Sequence, residues 1–336
     1  MAFLRPRSGV YLTAPAIYLP SRAMTNERLI AWMGASIRPE WITRRTGIET
    51  RYWVEPDQAV SDIGALAAEA LLRQRPEARA SIRQVILATI SGDYPTPPSA
   101  PIIQSKLGLA PAGCFDLGAS CAGFTSGLYT AAAFCEATGE TQLLVAADIR
   151  SKFLNPRDPA TAVLFGDGAA ACLISRTASG AAFRVVASEL LADGRAAGLV
   201  CQEAGGSRLP CHWERDAHQA FVRMTNGPRV FVEAAEGMRT AARSLLERLD
   251  VPIEQVDWVV PHQANLNLVR DVARLVGCPP GRVVETVQEY GNTSGSSVGL
   301  ALHRLCESPD VRSGHTVLLV SAGGGGLAAT ALLERL

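Results

Sequence analysis

The sequence predicts an α/β protein made of two similar halves, and three observations lead there. Strand-like apolar runs alternate with helix-period stretches along the whole chain, as in sheets covered on both faces. Short anchors recur at near-constant offsets. The chain has 336 residues, 48% hydrophobic and 19% charged, which is globular composition with enough length for a large buried core.

Each element follows from its local pattern. The run Val85-Ile86-Leu87-Ala88-Thr89-Ile90 reads as a buried strand. So do Gln142 to Ala147, Val256 to Val260 and Thr316 to Val320. Helix periodicity covers 62–72, 122–137 and 230–249. Ile82-Arg83-Gln84-Val85 is echoed by Ile253-Glu254-Gln255-Val256, an offset of 171, and Leu143-Leu144-Val145 by Leu318-Leu319-Val320, an offset of 175. Between these anchors, the small-residue turn 118–123 matches 292–297, and each turn leads into a helix. A duplicated chain places two such turns near a pseudo-twofold axis. Ligands of open α/β sheets bind beyond the carboxyl ends of the strands, so the two turns are candidates for one shared site. Residues 190–225 break the rhythm with loop chemistry, Glu203-Ala-Gly-Gly-Ser-Arg-Leu-Pro210. A connection this long is expected to form a lid or a pocket wall.

Bulk properties exclude several functions. The net charge is zero, so nothing electrostatic favours nucleic acid. No apolar run approaches a membrane span, and the N-terminus lacks the apolar core of a signal peptide. The eight cysteines are scattered without Cys-x-x-Cys pairs, which argues a reduced, cytoplasmic protein. Cys201, Cys211, His212 and His218 match no zinc spacing, so no metal is expected.

Candidate chemistry gathers on three residues. Cys121 follows Phe115-Asp-Leu-Gly-Ala-Ser120 and opens a helix, where unpaired N–H groups and the positive dipole end favour a thiolate. A small buried core cysteine is the competing reading. His262, in Pro261-His-Gln-Ala-Asn265, ends a strand. Asn292, in Tyr290-Gly-Asn-Thr-Ser294, stands on the turn that echoes the cysteine turn, although a helix cap would explain it as well. His303 reads as a packed or surface histidine and His315 as a turn residue. The run Gly323 to Gly326 imitates a dinucleotide fingerprint, but no second strand with an acidic residue follows before Leu336. It is better read as backbone N–H groups brought close to a reacting centre. Phe165-Gly-Asp-Gly-Ala169 reads as a structural turn.

Taken together, Trp41-Ile-Thr-Arg-Arg-Thr-Gly-Ile48, 115–124, 165–169, 261–265, 290–294 and the final glycine run resemble the β-ketoacyl-ACP synthase III family of the thiolase fold. The resemblance implies a five-layered fold of two duplicated βαβαβαββ halves, 1–178 with the nucleophile and 179–336 with histidine and asparagine. It also implies a cytoplasmic homodimer with no cofactor. Cys121 is then acylated by an acyl-CoA, with the N–H groups of Cys121 and Gly325 as the oxyanion hole. Malonyl-ACP loses carbon dioxide, and His262 and Asn292 hold the enolate, which condenses with the acyl group to a 3-ketoacyl product. Trp41, Arg45 and Asn265 are the implied CoA and pantetheine contacts. Asn267 replaces an arginine that the family often uses for carrier protein, with Arg270 one turn on. Pro97 stands where acetyl-using members carry phenylalanine at the end of the acyl pocket, which predicts a primer that is longer than acetyl or aromatic. The alternative is transfer of the acyl group from Cys121 to a hydroxyl or amine without decarboxylation. Intact Cys-His-Asn chemistry argues against a non-enzymatic partner subunit.

Overall fold

The computed structural model describes residues 1–213, 216–279 and 281–336. Its packing follows directly from strand alternation. In Ile82–Ala88, Val85 and Leu87 face one way and Ile86 and Ala88 the other. Thr141–Asp148 and Gly168–Ser175 alternate in the same manner. The outer face of these strands is covered by the helices Val60–Arg73 and Ala100–Lys106. The inner face meets the helices Gly123–Thr138 and Ser297–Cys306. On the far side of that helix pair lies a second set of strands, Trp258–Pro261, Thr316–Gly323 and Leu327–Arg335. Val317 and Leu319 point to the central helices. Leu318 and Val320 point to an outer cover of Gly227–Leu249 and Leu266–Val276. Helix, sheet, helix, sheet and helix make five layers, each sheet burying apolar side chains on both faces.

The two strand sets join edge to edge. Tyr11–Leu12 bonds to both Gly168–Ser175 and Phe183–Ala192, giving a continuous sheet of 11 strands. Pairing is equivalent in the halves: Ile82–Ala88 runs parallel to Thr141–Asp148, which is antiparallel to Gly168–Ser175. Trp258–Pro261, Thr316–Gly323 and Leu327–Arg335 repeat this. The pairing also corrects one anchor. Ile86 faces Leu144 and Val260 faces Leu319, so the strands correspond at offsets of 174 and 175. The Ile-x-Gln-Val identity at 171 is fortuitous, because Ile253–Gln255 forms a short 3-10 turn ahead of its strand. Among the described residues no helix is long and apolar enough to cross a membrane.

The excursion at 190–225 forms one wall of the central cavity. In its described part Val200–Gln202 pairs with Val222–Met224. Val200 and Met224 line the cavity together with Leu199.

Candidate active site

The two echoing turns meet back to back. Each is a single 3-10 turn, Ser120–Ala122 and Ser294–Ser296, feeding a central helix. Each begins on a serine in the left-handed region, Ser120 with φ 48° and Ser294 with φ 54°, a conformation uncommon outside glycine. Contact is close enough to require glycine: a Cβ on Gly123 would lie 3.1 Å from Gly295 Cα, and one on Gly295 would lie 2.9 Å from Ser120 O. Asp148 closes its strand here as a buried carboxylate. Its Oδ1 accepts from Ile90 N at 2.9 Å and Thr89 Oγ1 at 3.1 Å, and its Oδ2 accepts from Gly295 N at 2.9 Å. The carboxylate therefore links the strand ends of the first half to the turn of the second.

Cys121 sits at the mouth of the helix Gly123–Thr138, half-buried, with its Sγ 3.7 Å from Ser294 Oγ. The expected thiolate is not what this setting favours at rest. Burial pushes the thiol up to about 11, and Asp148 adds to that, while the Ser294 hydroxyl and Arg150 pull it back. The desolvation of an anion outweighs the helix terminus, so the resting group is a thiol. Among the described residues, neither the Cys121 N–H nor the Gly325 N–H donates to another protein group, which leaves both available to a ligand.

His262 extends its strand, its N–H donating to Val320 O at 2.8 Å. The ring is buried, and burial lowers it to about 4, so it is neutral at pH 7. Its Nδ1 lies 2.7 Å from Ser297 Oγ, the first residue of the second central helix. Asn292 is buried and held from both ends: its N–H donates to Leu164 O at 2.9 Å, and its carbonyl accepts from Gly166 N at 3.0 Å. The side-chain Oδ1 accepts from Ser294 N at 2.9 Å. That bond orients the amide, leaving the NH2 as the free end. Cys121, His262 and Asn292 line one cavity of about 440 Å³, together with Gly323 to Gly326. The glycines close the hairpin between Thr316–Gly323 and Leu327–Arg335 and press it against the end of the neighbouring strand, where a Cβ on Gly326 would stand 2.0 Å from Asp193 O.

The remaining candidates are placed differently. Asn265 lines the cavity and also caps the helix Leu266–Val276, its Oδ1 accepting from Leu268 N, so only its NH2 is free. Trp41 lies on Pro39–Thr46, outside this cavity, and the Arg45 guanidinium already covers its ring at 4.8 Å. Asn267 ties that helix down by donating to Arg45 O at 2.9 Å, and Arg270 is paired with Glu285. Pro97 does not line the cavity of its own chain. It is exposed on the loop that follows Ile82–Ala88, above the edge strand Gly113–Leu117. His303 is half-buried, its Nδ1 2.7 Å from Pro15 O. Asp167 is a structural hub of the 165–169 turn, accepting from Val54 N, Arg150 N and Ser151 N. Ser297, Ser294 and Arg150 escaped the sequence reading. Only Asp148, a charge ending an apolar strand, carried a visible signal.

Comparison with known proteins places the chain in a family. Residues 115–194 match the family model of 3-oxoacyl-(acyl-carrier-protein) synthase III, and 246–335 match its C-terminal model. A beta-ketoacyl-(acyl-carrier-protein) synthase III of Chlamydia muridarum is 36% identical, over 92% of this chain and 94% of that one. A 3-oxopimeloyl-(acyl-carrier-protein) synthase of Brucella abortus is 33% identical, over 94% and 95%. The crystal structure of the 3-oxoacyl-(acyl carrier protein) synthase III of Pseudomonas aeruginosa superposes with a TM-score of 0.88 at 31% identity, covering 97% of this chain and 98% of that one.

Proposed function

The chain belongs to the 3-oxoacyl-(acyl-carrier-protein) synthase III family, and from that premise we propose that it condenses an acyl-CoA primer with malonyl-ACP by decarboxylative Claisen chemistry. The observation that supports this best is the convergence of a thiol, a neutral imidazole and an oriented amide on one cavity. In the first half-reaction the Cys121 sulfur attacks the thioester carbonyl. CoA leaves as its thiol, carrying the proton that Cys121 gave up. The tetrahedral oxyanion is held by the N–H groups of Cys121 and Gly325.

In the second half-reaction the malonyl thioester loses carbon dioxide, and the electrons of the broken C–C bond become an enolate. Its oxygen needs neutral donors. The Asn292 NH2 is one, because Ser294 N already binds Oδ1. The Nε2–H of His262 is the other. The enolate carbon attacks the acyl-enzyme, and Cys121 leaves and regains a proton from solvent. No step calls for a cofactor or metal. Transfer to a hydroxyl or amine would generate no enolate, so an amide fixed as a donor favours condensation.

The enzyme acts as a homodimer in the cytoplasm. The outer edge of Gly113–Leu117 is a sheet edge with partly exposed Phe115 and Leu117, a natural site for pairing with a second copy. All eight cysteines are free, which suits a reducing compartment. Apolar walls from Leu164, Phe165, Leu199, Val200 and Met224 support a primer larger than acetyl. The relatives include synthases named for 3-oxopimeloyl products, whose acyl end is a carboxylate, so the chemistry of that end is the finer question. Mixing the protein with acyl-CoA and malonyl-ACP tests the proposal. Mass spectrometry should find the acyl group on Cys121, and carbon dioxide should appear only when both substrates are present. A Cys121→Ser variant with wild-type turnover would overturn it.

A further inference from the structure

Arg150 is a buried charge for which the fold supplies no partner. It follows the strand Thr141–Asp148, with 5% of its surface accessible. Its backbone is fixed, the N–H donating to Asp167 Oδ1 at 2.7 Å and the carbonyl accepting from Phe153 N at 2.9 Å. Its guanidinium, with five N–H donors, meets no hydrogen-bond acceptor and no carboxylate among the described residues. Arg51 shows what a structural buried arginine looks like here. That guanidinium donates to Met24 O, Asn26 Oδ1 and Val163 O.

The nearby buried carboxylates form no ion pair with the Arg150 guanidinium. Asp148 and Asp167 accept from backbone N–H groups and hydroxyls instead. What the guanidinium does touch is aromatic: it lies 5.6 Å from the Phe165 ring centroid and 5.9 Å from that of Phe153. Such contacts offset part of the desolvation cost but accept no hydrogen bond. Arg150 is outside the lining of the Cys121 cavity and stands against one of its wall residues, Phe165, with its charge close enough to act on the Cys121 thiol. The nitrogens are not sealed off, since they are absent from the atoms that are both buried and unpartnered. A buried, unpaired charge is costly, and an anionic ligand would remove that cost.

We propose that Arg150 receives a carboxylate at the far end of the acyl group carried by Cys121, so that the preferred primers are CoA thioesters of dicarboxylic acids. The inference rests on the condensation reading above. The acyl carbonyl is transferred from CoA sulfur to Cys121 sulfur, CoA leaves as its thiol, and the distal carboxylate remains ionised throughout. A planar guanidinium fits that carboxylate with two parallel N–H···O bonds. The charged residues that do line the wall do not compete for the role. Asp193, Glu233 and Glu236 are acidic, and each is paired with an arginine, Arg195, Arg229 and Arg239 respectively.

The test compares acylation of Cys121 by matched primers of equal carbon count: succinyl- with butyryl-CoA, glutaryl- with pentanoyl-CoA, and adipyl- with hexanoyl-CoA. Intact-mass spectrometry gives each rate. At one length or more the dicarboxylic primer should lead by about 100-fold, the scale set by removing one partner of a buried charge pair. Arg150→Leu should reverse that preference while still being acylated by the neutral primer, a reversal that misfolding cannot produce. Arg150→Lys should keep a reduced preference, since an ammonium lacks the planar fork. Two results overturn the proposal while leaving condensation standing. One is a neutral primer that equals or beats its dicarboxylic counterpart at every length. The other is an Arg150→Leu variant that slows both members of each pair equally, which would assign Arg150 to the thiol or the fold. Absence of any acyl adduct would overturn the condensation reading as well.

Discussion

Replacing Ser297 by alanine isolates the interaction that orients His262. Ser297 Oγ lies 2.7 Å from His262 Nδ1 and accepts the Gln263 N–H at 3.4 Å. The hydroxyl proton can be donated to Nδ1, the arrangement that the condensation reading requires. In that arrangement the ring proton sits on Nε2, where an enolate needs it. Alanine leaves the buried Nδ1 without a partner, a loss of about 1–3 kcal/mol. At 1.36 kcal/mol per decade this predicts roughly a 5- to 150-fold slower decarboxylation. The assay preforms the acyl-enzyme, adds malonyl-ACP labelled in its free carboxylate, and follows carbon dioxide in a single turnover. Acylation of Cys121 is timed separately by mass spectrometry. Acylation should be unchanged, and Ser297→Thr, which retains the hydroxyl, should restore part of the lost rate. A parallel fall in both half-reactions would refute the reasoning, as would no change in either.

Asn292→Asp keeps an acceptor for Ser294 N but turns an oxygen toward the enolate. Carbon dioxide release should fall by about 1000-fold while acylation continues; a loss under tenfold would mean that Asn292 does not contact the enolate. His262 makes stability depend on pH with a definite sign. Burial lowers it from 6.5 to about 4, so between those values the unfolded chain binds a proton that the folded chain does not. Stability is complete above 6.5 and falls by up to about 3 kcal/mol as the pH drops to 4, with no further loss from this group below that. Urea unfolding at pH 7 and 4.5 should show a larger loss of stability in the wild type than in His262→Gln. Gly326→Ala places a Cβ 2.0 Å from Asp193 O at a φ of 68° and should cost about 1–3 kcal/mol. Calorimetry reads this as a lowered Tm, and an unchanged Tm would show that the Asp193 backbone can yield.

Much of the architecture was legible because burial on both faces leaves a plain signature. Runs such as Val85-Ile86-Leu87-Ala88 and Val317-Leu318-Leu319-Val320 have no polar face, so both sheets had to be covered. Strand ends were less legible. Thr89 and Ile90 look like strand but lie beyond it, because the chain turns there to bring Ile90 N to Asp148. The pairing of the turns was readable from their order in the chain, and the shared left-handed serines show why: the same backbone device is used twice.

The sequence alone determined which residues are the candidates for the site. A thiol opening a helix, a histidine ending a strand and an amide on the echoing turn are local facts, set by residue type and chain order. The tertiary structure decided their states, because those depend on groups distant in sequence. Burial keeps Cys121 a thiol and His262 neutral, Ser297 turns the ring, and Ser294 orients the amide. It also removed Pro97 from the cavity of its own chain and set Arg150 beside Phe165 without a partner. Desolvation and hydrogen bonding act through space, and a string of residues does not say which groups will be left facing one another.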